Sequence, residues 1–359
     1  MGGGPSAPLR VTTISAGPQH TCGVTAAGTV KCWGTGANYA RGNGSTSNSP
    51  VPVDMLSLSS RVRAVSAGAS TCALTSTGAV TCWSVNENSL LGPNSGSRSP
   101  VAVGGLSTDV ASVSVGTDLA CVVTALGAVR CWGCNFPGNY LTSFSAVPLD
   151  VTGLSAGVIS VSAGFRHACA LTTLGAVKCW GPTEIGQLGN GSFDAPNAPV
   201  DVVGLSSGVV SVSAGYGYSC AVTSVGAVKC WGGNYYRQLG NDSMEFSTVP
   251  VDVVGLSSGV VSVSAGTRYA CAVTSAGAIK CWGSLQWGKV GDPLTTSTSS
   301  VPAEVDGLSS NMSAVSVGDS HACAVTSIGA VKCWGTNSFG ELGNGTTIGS
   351  SVPVDVVEF

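Results

Sequence analysis

Charge is what this chain has least of: Lys, Arg, Asp and Glu together make 9% of 359 residues, with a formal net charge of -3. No run of Lys or Arg occurs, so the counterion release that drives nucleic-acid binding has no source and no nucleic-acid partner is expected. Long apolar runs are missing too, none approaching the roughly 18 residues a spanning helix needs, so no membrane insertion is expected. The start, Met1-Gly-Gly-Gly-Pro-Ser-Ala-Pro, has neither the basic residues nor the apolar core of a signal peptide, which suggests a mature or trimmed form. No Ser-His-Asp order, phosphate-cradling glycine loop or carboxylate pair stands out, so neither an enzyme nor a cofactor is expected.

Cysteine, by contrast, is abundant and regular. Fourteen of fifteen form pairs separated by nine residues, each second Cys followed by Trp: Cys22 with Cys32, Cys72 with Cys82, Cys121 with Cys131, Cys169 with Cys179, Cys220 with Cys230, Cys271 with Cys281 and Cys323 with Cys333. Such usage points to disulfides made in an oxidising compartment, hence to a secreted or extracellular protein. The pairs recur about every 50 residues and fill the chain, so residues 10–359 read as one repeat domain behind a flexible 1–9 segment.

Within a repeat, short β-branched runs end in Gly, Ser or Asn, as strands bounded by turns do, giving an all-β chain with four strands per unit. The 17 residues Pro199 to Gly215 recur unchanged from Pro250 to Gly266, so neighbouring units sit in nearly equivalent surroundings. A three-residue loop of Thr173, Leu174 and Gly175 sets Cys169 opposite Cys179, within reach of a disulfide, and every unit can carry the same staple. A metal site would need two such pairs to converge, which nine-residue spacing across a hairpin does not provide. Cys134 is left over as a free thiol, an intermolecular link, an alternative partner of Cys131 or an inert buried thiol.

A second regularity concerns charge. The residue before the second Cys is basic in six repeats and Thr81 in the other; the residue two after the strand Pro is acidic in six and Ala102 in the other. Base and acid are missing from the same repeat. Ion pairs within each repeat, such as Lys229 with Asp252, are therefore expected.

The elements Gly186-Gln187-Leu188-Gly189-Asn190-Gly191 after Cys-Trp-Gly, and His167-Ala168-Cys169-Ala170 after Ser-Ala-Gly, resemble the regulator of chromosome condensation repeat family. The Gly-x-Leu-Gly element returns as Arg237 to Gly240 and Gly340 to Gly343. The resemblance covers seven units and implies a seven-bladed β-propeller of four-stranded blades, closed where the strand near Arg10 to Gly17 meets the segment from Val352 to Phe359. The family's founding member binds chromatin and acts on a small GTPase. This chain departs from it in its stapled hairpins and its lack of a basic tail. Seven of its eight Trp occupy one strand position, which reads as packing between blades and not as a photoreceptor cluster. Secreted members of the fold bind proteins.

Between near-constant strands, the loops after Trp-Gly vary, and they carry Tyr39, Arg41, Phe136, Tyr140, Tyr235, Tyr236, Arg237, Trp287, Lys289 and Phe339. Aromatic and Arg side chains on variable loops of a rigid scaffold are what binding hot spots use, with Tyr235, Tyr236, Arg237 and Trp287 the densest group. A second variable set precedes each first Cys, including Asp118, Arg166, Tyr216, Tyr218, Arg268, Tyr269 and Asp319 with His20, His167 and His321, and could line a mouth of the ring. The three His read as hydrogen-bonded turn residues, and no metal is expected. Asn43, Asn190, Asn241, Asn311 and Asn344 lie in Asn-x-Ser/Thr sequences, four of them in the same loop, where a turn role suffices. The expected function is a binding module for a protein partner; a lectin for glycan and a self-assembling structural subunit are the alternatives.

Overall fold

The computed structural model describes residues 10–56, 58, 60–84, 97–134, 144–194, 196, 198–284 and 298–357. Its strands form seven four-stranded antiparallel sheets, each contiguous in sequence, the blades of a seven-bladed β-propeller. Blade 5 shows the unit, with strands Val209–Ala214, Tyr218–Thr223, Val228–Gly232 and Ser247–Asp252 from the axis outward. Successive innermost strands touch all round the ring, and that of blade 7, Met312–Val317, returns to that of blade 1, Val11–Ala16.

The Cys-Trp dipeptide builds the core. Adjacent strand residues point to opposite faces, so each blade presents its cystine to one neighbour and its Trp to the other. Cys22 and Cys32 of blade 1 pack with Trp83 of blade 2, Cys72 and Cys82 with Trp132, and Cys121 and Cys131 with Trp180. The sandwich continues with Cys169 and Cys179 against Trp231, Cys220 and Cys230 against Trp282, and Cys271 and Cys281 against Trp334. It closes where Cys323 and Cys333 of blade 7 meet Trp33 of blade 1. All seven Trp are fully buried. The hairpin register holds as expected: Cys169 faces Cys179, and Gly175 takes φ 75° in its loop. All seven expected pairs are disulfides, each spanning a Cα separation of 4.1 Å.

Inter-strand register also sets each base opposite its acid. Lys31–Asp54, Arg130–Asp150, Lys178–Asp201, Lys229–Asp252 and Lys332–Asp355 close at 2.6 to 2.9 Å. Lys280 stands opposite Glu304, and the uncharged Thr81 stands opposite Ala102.

Two further devices join the blades. In each Val-Ser-Ala or equivalent segment the Ser hydroxyl accepts a backbone N–H from the next blade: Ser15 from Ala67, Ser66 from Val115, Ser114 from Ala163, Ser162 from Ala214, Ser213 from Ala265, Ser264 from Val317 and Ser316 from Ala16. These bonds, 2.9 to 3.1 Å long, form a complete circle around the axis. Outside them, the Asn-Gly or Asn-Asp turn of one blade reaches the outer strand of the next, with Gly191 N–H donating to Thr248 O, Asp242 N–H to Ser300 O and Gly345 N–H to Pro50 O. This covers part of a sheet edge that would otherwise be open to pairing. The first and last described strands lie in neighbouring blades, not in one sheet: Val11 N–H donates to Gly329 O, and Val356 packs with Val11 and Trp33.

Candidate binding face

Both variable segments lie at the same end of the propeller. The turn joining the first two strands of a blade is hydrogen-bonded to the start of the loop joining its last two: Thr35 N–H donates to Gln19 O, Gly233 N–H to Gly217 O, Ser284 N–H to Arg268 O and Thr336 N–H to Ser320 O, at 2.8 to 2.9 Å. The opposite end carries the uniform hairpin loops, whose tips expose Leu126 and Leu174. One face therefore varies from blade to blade and the other repeats.

A buried frame holds the long loops of the variable face. Asn234, wholly buried, donates from Nδ2 to Asn241 Oδ1, Ser243 O and Glu245 O while its Oδ1 accepts from Leu239 N–H. Asn337 does the same in blade 7, and both follow the spacing Trp-Gly-x-Asn, a signal the reading of single loops overlooks. The residue before the loop Leu tightens the frame: Gln187, Gln238 and Glu341 accept the N–H of Ile185, Tyr236 and Phe339 on their side chains. Their backbone carbonyls accept the indole N–H of Trp231, Trp282 and Trp33 from the following blade. Burial raises the Glu341 carboxyl above its ordinary range, opposed by backbone N–H groups.

Blade 1 departs from this frame. Gly36 stands where Asn234 stands in blade 5, and Arg41 stands where Leu239 does. Arg41 is buried and donates to Ser47 O, supplying a donor of the kind the absent Asn would give. It belongs to the loop's interior and is not a surface contact.

The other sequence candidates separate cleanly. Tyr235 is 65% exposed. Tyr236 is half-buried, with the Arg268 guanidinium of blade 6 lying 4.5 Å from its ring centre. Arg237 is half-buried at the turn, with φ 61°, and Tyr39 and Phe339 are half-buried in theirs. Phe136, Tyr140, Trp287 and Lys289 lie outside the described residues, as does the side chain of Cys134.

The segment before each first Cys divides by alternation. The residue two before the Cys is buried at a blade junction. His20 Nε2 hydrogen-bonds with Thr71 Oγ1 at 2.8 Å, His167 Nε2 with Ser219 Oγ at 2.7 Å and His321 Nε2 with Thr21 Oγ1 at 2.7 Å. Tyr218 and Tyr269 donate their hydroxyls to Tyr269 O and His321 O at 2.6 Å. Burial pulls His20 and His167 down to about 4, helped at His20 by the Arg41 charge, and pushes both tyrosines up. These His sit at separate junctions, and among the described residues no group of three or more His, Cys, Asp or Glu could hold a metal.

The residues further from the Cys instead surround the axis. Phe165 and Tyr216 stack with ring centres 3.9 Å apart, Arg166 lies 5.3 Å from the Phe165 ring, and Arg166 pairs with Asp118 at 3.4 Å. Phe165 was not singled out in the sequence, although Tyr216 and Asp319, which were, hold the same slot after the turn glycine in other blades. Further out, Phe193 and Phe246 from adjacent loops meet edge to face, with centres 5.7 Å apart and both rings exposed. The variable face thus carries aromatic pairs and ring-stacked arginines across blades 4 to 6.

Comparison with known proteins agrees with this architecture. The model of the RCC1-like domain matches residues 62–358, and that of the regulator of chromosome condensation (RCC1) repeat matches residues 11–39. Human E3 ubiquitin-protein ligase HERC2 is 32% identical over 169 residues, 46% of this chain and 4% of that protein. The ultraviolet-B receptor UVR8 of Arabidopsis thaliana is 30% identical over 179 residues, 48% of this chain and 39% of the receptor. The chain therefore spans less than half the length of these curated relatives. Among solved structures, yeast RCC1 (Prp20) bound by Kap60 superposes with a TM-score of 0.82 at 18% identity, covering 99% of this chain and 89% of that one. Human WBSCR16 superposes at 0.75 with 25% identity, covering 86% and 85%. With a family model matched across most of its length and seven four-stranded blades in place, this chain belongs to the RCC1-like domain family.

Proposed function

We propose that this protein is a binding module of an oxidising, extracellular setting, which recognises a protein partner through the loop-bearing face and performs no catalysis of its own. The observation that carries the reading is the segregation of variation: both variable segments share one face, held on a rigid buried frame, while the other face repeats. Exposed Tyr235, the Arg268–Tyr236 pair and the Phe193–Phe246 pair supply the aromatic and Arg character of interface hot spots. Protein recognition is also seen in the yeast relative, a propeller bound by Kap60. The ligase and photoreceptor activities of the curated relatives are not carried over, since the match covers 4% and 39% of them. Seven disulfides suit the oxidising compartment. Loops laid over neighbouring outer strands work against edge-to-edge assembly, and the aromatic residues differ from blade to blade, unlike the equivalent pockets of a repeat lectin.

The test immobilises the full chain, a Tyr235→Ala/Tyr236→Ala variant and a Leu126→Ser/Leu174→Ser variant of the opposite face, and passes native extracellular medium over each. The expected result is one protein retained at stoichiometric level by the parent and the second variant but not the first. Equal capture by all three, or retention of glycan alone, overturns the reading.

A further inference from the structure

At the axis, the Ala-Gly or Val-Gly turns of the seven innermost strands converge on a funnel of about 100 Å³ that opens on the variable face. Its rim is formed by Pro18, Thr117, Phe165, Tyr216, Thr267 and Asp319, each the residue after the turn glycine. The turns crowd one another tightly: a Cβ on Gly116 would stand 1.8 Å from Gly164 O. Small-molecule pockets run to roughly 300 to 1,000 Å³, so this funnel has room for one side chain and not for a free cofactor or sugar chain.

Its chemistry is one-sided. The Asp118 charge is met by Arg166. Asp319 accepts the Thr267 hydroxyl, but among the described residues no Lys or Arg closes an ion pair with it. Opposite the acid, Phe165 has one neighbour in Arg166 and another in Tyr216, and the Tyr216 ring remains 47% exposed where it lines the funnel. A carboxylate without a cation and an aromatic face across a one-residue opening form a receptor for positive charge, combining Coulomb attraction with cation–π contact. The rim already treats guanidinium in this way, seating Arg166 on Phe165.

We propose that the axial funnel accepts a single Lys or Arg side chain carried on a protruding loop of the protein partner, with Asp319 meeting its charge and Tyr216 covering its stem. This rests on the protein-binding reading and adds the chemistry of the residue at the centre of the contact.

The test uses n-butylammonium as the probe, titrated into isotope-labelled full chain while the amide resonances of Gly215, Gly266 and Gly318 are followed, with 1-pentanol as the neutral isostere. Saturable shifts are expected with the amine and none with the alcohol. Asp319→Asn should weaken binding at least about fivefold, as loss of a charge-assisted contact would, and Tyr216→Leu at least about twofold. Both side chains are exposed, and an unchanged thermal midpoint establishes that each variant is folded. Equal shifts with pentanol, no saturable shift with the amine, or an Asp319→Asn variant that binds like the parent overturns the proposal. Such failure leaves the capture by Tyr235 and Tyr236 untouched, so the two readings fall separately.

Discussion

His20 and His167 show how a surface-type residue becomes a structural joint when its ring is buried against the next blade's hydroxyl. Their depressed pKa values set a sign. In the folded ring both take their proton only near pH 4, whereas an unfolded His takes its proton near 6.5. Their stabilisation is therefore complete above pH 6.5 and is lost as pH falls toward 4, at most about 3 kcal/mol each by linkage at about 1.4 kcal/mol per pH unit. Urea midpoints measured across that window should fall less steeply for His20→Gln/His167→Gln than for the parent. Glu341 has the opposite sign: its raised pKa favours folding below about 4.5, its ordinary value, and that benefit is lost as pH rises. Since Gln187 and Gln238 hold the same slot, Glu341→Gln should raise the thermal midpoint at neutral pH, with the gain vanishing near pH 4. Neither effect was legible in the sequence, where His read as hydrogen-bonded turn residues; they are hydrogen-bonded, but His20 and His321 open strands, and nothing told which atoms they met. Arg41 on a variable loop looks like a contact, whereas it is buried in a loop whose Gly36 stands where blades 5 and 7 have Asn.

At the scale of strands and loops, periodicity did most of the predicting. Alternation and a three-residue loop placed Cys169 opposite Cys179, and the joint absence at Thr81 and Ala102 identified the strand pair that carries the charges. The ion pair is exposed, with Asp252 at 77%, so a Lys229→Thr/Asp252→Ala cycle should give a coupling of only about 0.2 to 1 kcal/mol by urea unfolding; strict additivity would refute the pair. The Ser ring was invisible because a Ser in Val-Ser-Ala looks like ordinary strand filler, and its partner lies in another repeat. Removing one link, as in Ser213→Ala, strands the Ala265 N–H and should cost about 1 kcal/mol in the same measurement.

As a whole, the molecule hides its redox chemistry. Every paired cysteine is fully buried in a blade junction, so a reductant reaches the disulfides only when the ring opens. In native buffer the seven should resist dithiothreitol, and in denaturant they should all yield; piecemeal loss from the folded protein would contradict that burial. Thiol titration of unfolded, unreduced protein should find one free group, Cys134, the remainder of fifteen cysteines after fourteen are paired. Architecture was readable from the repeat because symmetry writes itself into sequence. The proposed binding face was not, because what distinguishes it is which irregular loops share one end.

Among the described residues no strand passes between blades, and this bears on ancestry. A tandem duplication of one period inserts a complete blade and leaves every sheet intact, so the ring can lengthen by copying without first passing through a broken fold. Two joints between blades share the same 17 residues, Pro199 to Gly215 and Pro250 to Gly266. Each begins at the outer strand of one blade and ends at the innermost strand of the next. What these two stretches share unchanged is a joint between blades, not a whole blade.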